Sequence, residues 1–162
     1  MRKVIVNSTP LIVLCNANLL FILKELYGNI TIPQAVFDEV TAKPDSACLQ
    51  IKENLDWIFV EKIKDVADRK MYKAKLHAGE VDVMILAQES PQADLVIIDD
   101  NAAKKTAKYL GLTVTGTLGV LLKAKKSGII FSVKDAINKL QANGFYIDSK
   151  IVKLVLNQAE EM

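Results

Sequence analysis

The sequence predicts an α/β domain with a central, mostly parallel sheet flanked by helices, and three observations carry that reading. Short apolar runs of strand length alternate with longer stretches of helical pattern. One run, ADLVIIDD at residues 93–100, is β-branched and free of polar residues at its centre, as suits a strand covered on both faces. Two strand candidates also end in polar clusters, Asp99-Asp100 and Asn7-Ser8-Thr9. In an open parallel sheet, the carboxyl edge is where ligands bind.

The elements follow in order. Residues 3–6 give a short buried strand. The turn Asn7-Ser8-Thr9-Pro10 leads into a helix, with Ser8 or Thr9 as N-cap and Pro10 in the first turn. Helical pattern continues over 11–26, interrupted near 16–18, until Gly28 closes it. A second strand covers 29–32. Pro33 then opens a helix to Val40, on which Val36 and Val40 share a face while Asp38 and Glu39 diverge. A helix is expected over 47–55, an edge strand over 57–63 and a lysine-rich helix over 65–76.

After Gly79, residues 80–87 read as a helix that is apolar nearly all round beyond a first turn carrying Glu80 and Asp82. Such a helix is usually buried against a sheet, and acids in its first turn complement the helix dipole. Behind the strand at 93–100 comes a helix over 101–110 that exposes Lys104, Lys105 and Lys108. Residues 111–116 give a turn and a fourth core strand. Further helices are expected over 117–126, over 133–142 behind a Ser132 cap, and from Asp148 or Ser149 to about residue 160. No repeat, low-complexity tract or linker divides residues 1–162, which read as a single domain.

Composition narrows the function classes. A chain of 162 residues, 51% apolar and 25% charged, buries a substantial core and is not disordered. A net charge of +2 does not by itself indicate nucleic-acid binding. Cys15 and Cys48 are too few for a disulfide framework and read as buried free thiols, consistent with a reducing cytoplasm. His77 is the only histidine, so no zinc spacing exists and nothing marks out a Ser-His-Asp or Cys-His mechanism. The first apolar stretch is broken at residues 7–10 with no cleavage pattern behind it, and no window offers the ~20 apolar residues of a membrane span. A soluble, cytoplasmic protein without membrane contact is expected.

Four places set oxygen-bearing side chains near strand ends or helix starts: Asn7, Glu39, Glu80 with Asp82, and Asp99 with Asp100. Mg²⁺ and Mn²⁺ take such ligands, and separate segments that supply one carboxylate each suit metal-dependent phosphodiester hydrolysis. Two acids directly after a buried strand are costly unless they cap or bind something. Lys104, Lys105 and Lys108, with Lys123, Lys125 and Lys126 later, fit a basic rim for a phosphate backbone and equally a set of solvated helix faces. Aromatic residues are only 6%, too few to signal a base-stacking platform.

Taken together, VIVNSTPLI at 4–12, IPQAVFDEV at 32–40, GEVDVMILA at 79–87 and LVIIDD at 95–100 resemble the PIN-domain family, particularly the branch related to VapC-type toxin ribonucleases. GLTVTGTLGVLLKAKKSG at 111–128 and NGFYID at 143–148 resemble the C-terminal part of that branch. The resemblance spans nearly the whole chain. It implies a three-layer PIN-like fold, with the helices at about 133–161 as a family-specific extension. It also implies acids gathered at the strand ends to bind Mg²⁺ or Mn²⁺ and cleave RNA.

By that resemblance the first family acid falls on Asn7, the second on Glu39 and the third on Asp82, with Glu80 as a close competitor. The fourth falls on Asp99, with Asp100 as auxiliary. Ser8 and Thr9 take the places of residues that orient the first ligand, and together with Lys104 and Lys105 they form the implied substrate side. About 200° of helix separates Glu80 from Asp82, so the two are not expected to reach one metal together.

Asn7 departs from the family pattern, where the first ligand is Asp. An amide oxygen can coordinate Mg²⁺, but it brings no charge and cannot act as a base. The expected function is a PIN-type metal-dependent endoribonuclease, the toxin of a toxin–antitoxin pair, attenuated by Asn7. The alternative is a catalytically degenerate PIN-like module that binds nucleic acid or protein. The implied partners are RNA, a small antitoxin and a second copy in a homodimer.

Overall fold

The strands assemble in the order β3-β2-β1-β4-β5, with every neighbouring pair parallel. They are β1 (Lys3–Val6), β2 (Ile30–Pro33), β3 (Ile58–Glu61), β4 (Ala93–Ile97) and β5 (Val114–Thr115). The computed structural model describes residues 3–64, 78–91 and 93–162. From β1 the chain builds outward through β2 to β3, then crosses back to lay β4 and β5 on the other side of β1. That reversal opens a crevice at the carboxyl ends of β1 and β4, the topological switch point of an open α/β sheet. The β-branched runs place Val4, Ile5 and Val6 beside Leu95, Val96 and Ile97 at the centre of the core.

Nine helices accompany the sheet among the described residues, and the whole is the three-layer α/β fold expected. They are α1 (Ser8–Asn16), α2 (Phe21–Tyr27), α3 (Gln34–Val40), α4 (Ser46–Glu53), α5 (Ala78–Glu89), α6 (Asn101–Tyr109), α7 (Thr117–Lys126), α8 (Val133–Ala142) and α9 (Ser149–Gln158). The break between α1 and α2 falls at Asn18, whose φ of 58° is left-handed and cannot continue a helix. α5 is the helix that is apolar nearly all round: all of residues 81–87 are buried where it packs on β1, β2, β4 and α3. Truncating its central Met84 to Ala would cost about 2–5 kcal/mol. No single helix among the described residues is long and apolar enough to cross a membrane.

Three details differ from the sequence reading. The N-cap of α1 is Asn7, not Ser8 or Thr9. α5 begins at Ala78, so Gly79 lies inside its first turn instead of preceding it. The fourth core strand is a two-residue, half-buried edge strand, because among the described residues β5 has a sheet neighbour only in β4. The lysine-rich helix expected over 65–76, and His77, lie outside the described residues.

The last two helices close on the domain itself. α9 and its C-cap turn Val155, Leu156 and Ala159 inward, with α9 against α7 and α8, while Leu154 and Ile151 face outward. Glu161 then reaches back to α8. Its carboxylate accepts hydrogen bonds from Ser132 Oγ, the Val133 and Lys134 backbone N–H groups, and Lys125 Nζ. Burial pushes this carboxyl upward, but the donors outweigh it and lower it to about 2.

Candidate active site at the carboxyl edge of the sheet

The crevice is stitched at its floor by one hydrogen bond, from the Asn7 backbone N–H to the Ile97 carbonyl at 3.0 Å. Asn7 follows β1 directly with extended dihedrals and caps α1 in position, yet its side chain makes no capping bond. Its Oδ1 is fully buried and has no hydrogen-bond partner, the one such side-chain atom among the described residues. Leaving a buried acceptor unmatched costs about 1–3 kcal/mol. Such an atom marks a place where a donor or cation belongs.

Glu39 supplies the second oxygen from α3. The residue is exposed, but its carboxylate leans toward the start of α5. A Cβ at Gly79 would stand 3.1 Å from Glu39 Oε1 and 3.6 Å from Asn7 Oδ1. The absence of a side chain at Gly79 therefore leaves the space on which these two oxygens converge.

Asp99 lies at the other side of the crevice, two residues past β4. Its Oδ1 accepts the Thr117 backbone N–H at 2.7 Å and its Oδ2 accepts the Thr117 hydroxyl at 2.6 Å. Gly116 again makes the room: a Cβ there would fall 2.7 Å from Asp99 Oδ1 and 2.8 Å from Lys104 Nζ. Lys104, half-buried on α6, thus brings its ammonium to the same small space as the Asp99 carboxylate.

The remaining candidates divide by what already holds them. Glu80 and Asp82 are both buried on α5, and neither is free of partners. Asp100 caps α6, its Oδ2 accepting from the Ala103 N–H, and it is otherwise exposed. Ser8 is buried beneath Asn7, whereas Thr9 and Lys105 are exposed.

Of the later lysines, Lys123 sits over the Tyr27 ring and Lys125 is tied to Glu161 and the Ala159 carbonyl. At 1.5 Å per residue, Lys123 and Lys126 lie roughly 9 and 14 Å along α7 from Thr117. They belong to the far end of that helix, so the basic rim expected from them does not border the crevice.

These residues fit a hard divalent cation such as Mg²⁺. The donors are all oxygen, one is buried and unclaimed, and Mg²⁺ is commonly held through one or two carboxylates while it keeps water and takes phosphate oxygens. They do not form an all-protein cage. Among the described residues no three His, Cys, Asp or Glu side chains come together as a metal-holding group, so Glu39, Asp82 and Asp99 are not drawn into one cluster. The cysteines offer nothing in their place. Burial, with a smaller contribution from the charge of Asp45, pushes the Cys15 thiol up to about 12, and Cys48 is buried as well.

Sequence reasoning passed over Gly79, Gly116 and Thr117 as parts of the site. The available signal was a glycine beside each candidate oxygen, which marks a close approach of backbone to another group. A family model described as a PIN domain matches residues 3–161. No curated protein matches the chain.

Proposed function

The chain belongs to the PIN-domain family, a family of nucleases, and from that premise we propose that it is a divalent-metal-dependent endoribonuclease attenuated by Asn7. The observation that carries this reading is the buried, unmatched Asn7 Oδ1 converging with Glu39 Oε1 over Gly79, at the switch point of the sheet. Asn7, Glu39 and Asp99 would hold Mg²⁺ or Mn²⁺. When bound, the ion supplies a more acidic water and charge to offset the phosphodiester.

The protein's own part follows from its side chains. Glu39, exposed at the mouth of the crevice, is placed to accept a proton from the attacking water. Asn7 orients through its amide oxygen but takes up no proton. The Lys104 ammonium offers a counter-charge to a backbone phosphate entering beside Asp99. Purified protein incubated with RNA, with and without Mn²⁺, tests the reading alongside Glu39→Gln and Asp99→Asn. Cleavage that survives chelation and both substitutions would sink it.

A second reading has its own support. The uncharged Asn7 and the lack of a three-acid group among the described residues suit a PIN-like module that binds RNA or protein with little turnover. Robust cleavage by the natural sequence removes it. The finer family role, the toxin of a toxin–antitoxin pair acting as a cytoplasmic homodimer, rests on the resemblance of the sequence motifs. Co-purification with the product of a small adjacent reading frame tests the pairing, and light scattering of the purified protein tests the dimer.

A further inference from the structure

We propose that Thr117 is a positioning residue for the reaction, fixing the plane of the Asp99 carboxylate so that its remaining lone pairs face the crevice. The inference rests on the reading of Asp99 as a metal-holding acid and names a residue which that reading does not require. An aspartate carboxylate turns easily about its last torsion, whose wells are broad. One hydrogen bond leaves that turn open. Here a single residue grips both oxygens, through its backbone N–H at 2.7 Å and its hydroxyl at 2.6 Å. The grip uses one of the two lone pairs on each oxygen and leaves one free on each.

Burial and fit make the grip selective. Thr117 is fully buried, so its hydroxyl has no competing water. Gly116, immediately before it, is buried too and leaves the gap into which Asp99 Oδ1 and Lys104 Nζ reach. The hydroxyl of Thr117 therefore does what an outer partner of a metal ligand does: it orients the ligand without touching metal or substrate. Loss of such partners costs about 10–100-fold in metal affinity or activity.

The test compares Thr117→Val, which keeps the volume and the backbone donor but removes the hydroxyl, with Thr117→Ser, which keeps both donors. Mn²⁺ affinity is read by titration calorimetry, and kcat and KM on a fluorogenic RNA, with melting curves as a fold control. T117V is expected to weaken Mn²⁺ binding and lower kcat by about 10–100-fold with KM nearly unchanged. T117S is expected to stay within about threefold of the natural protein, since its hydroxyl reaches the same oxygen.

A T117V protein with natural Mn²⁺ affinity and kcat overturns the inference, as does a T117S protein as impaired as T117V. An unfolded T117V passes the same readout to Thr117→Ala, on the same terms. Asp99→Asn run in parallel separates the two levels. If D99N leaves metal binding and cleavage intact, the reading of Asp99 fails; if D99N abolishes both while T117V is normal, only the role of Thr117 fails.

Discussion

The two sides of the crevice are built on opposite principles. At Asp99 each oxygen is held through one lone pair, by a backbone N–H and a buried hydroxyl from one residue, and keeps the other. At Asn7 the oxygen is more deeply enclosed and nothing claims it. One side is oriented in advance by the protein; the other is given no hydrogen-bond partner by it. A functional site can carry such an unmatched group because the stability it costs is recovered on binding. Glu161, remote from the crevice, shows how this chain treats a carboxylate whose role is purely structural, since four donors converge on it.

The contrast can be broken at the Asp99 side with the largest effect. Gly116→Ala puts a methyl 2.7 Å from Asp99 Oδ1 and 3.3 Å from the Ile98 carbonyl, which is backbone and cannot swing away. A loss of about 1–3 kcal/mol, seen as a melting temperature lower by several degrees, is expected together with a collapse of any metal-dependent cleavage. An unchanged melting curve and cleavage rate would mean that Asp99 is free to move.

At the Asn7 side the natural protein and Asn7→Asp should part company according to metal. A second carboxylate facing Glu39 adds like charge in a buried place, so the variant is expected to be less stable than the natural protein in chelator by about 1–3 kcal/mol. Mn²⁺ should then restore it, and more strongly than it stabilises the natural sequence, as mass action on a tighter site requires. Thermal melts across a Mn²⁺ series read both effects. A metal-insensitive N7D would remove the cation from the account of this pocket.

Glu161 supplies a smaller, acid-sensitive effect. Its folded value near 2 lies below its ordinary 4.5, so the stabilisation is fully present above about pH 4.5 and is lost as pH falls from there through 2. Glu161→Gln should cost about 1 kcal/mol at pH 7 and only a small part of that near pH 2, by denaturant melts at both pH values. Smallest of all is the expected response to thiol reagents. Cys15 should remain unmodified by iodoacetamide at pH 8 in the folded protein and react only on unfolding, as mass spectrometry would read.

Much of this architecture was written in local pattern. The apolar runs at residues 3–6 and 93–97 declare strands, and the uninterrupted apolar stretch of α5 declares a helix under a sheet. Asp148 and Ser132 are legible as caps because capping is decided within three residues. What stayed hidden depends on pairs far apart in the chain. Thr117 meets Asp99 across 18 residues and Lys125 meets Glu161 across 36, and no periodicity reports either. β5 was legible as a strand but not as a short edge strand: its residues have strand character, yet with β4 as their sheet partner among the described residues they form two bridges and stop. The placement of Glu39 near Asn7 followed from the order of segments, while the glycine that lets them converge was visible only as a helix start.

The parallel pairing of β1 with β4 also has a consequence in time. Val6 is matched with Ile97, and the Asn7 N–H waits for the Ile97 carbonyl. As the chain is synthesised from its N-terminus, β1 and its first helices are made long before that partner exists, and loop closure over so many residues is slow. A nascent chain short of residue 97 therefore lacks the β4 side of the crevice and carries no cleft to work with.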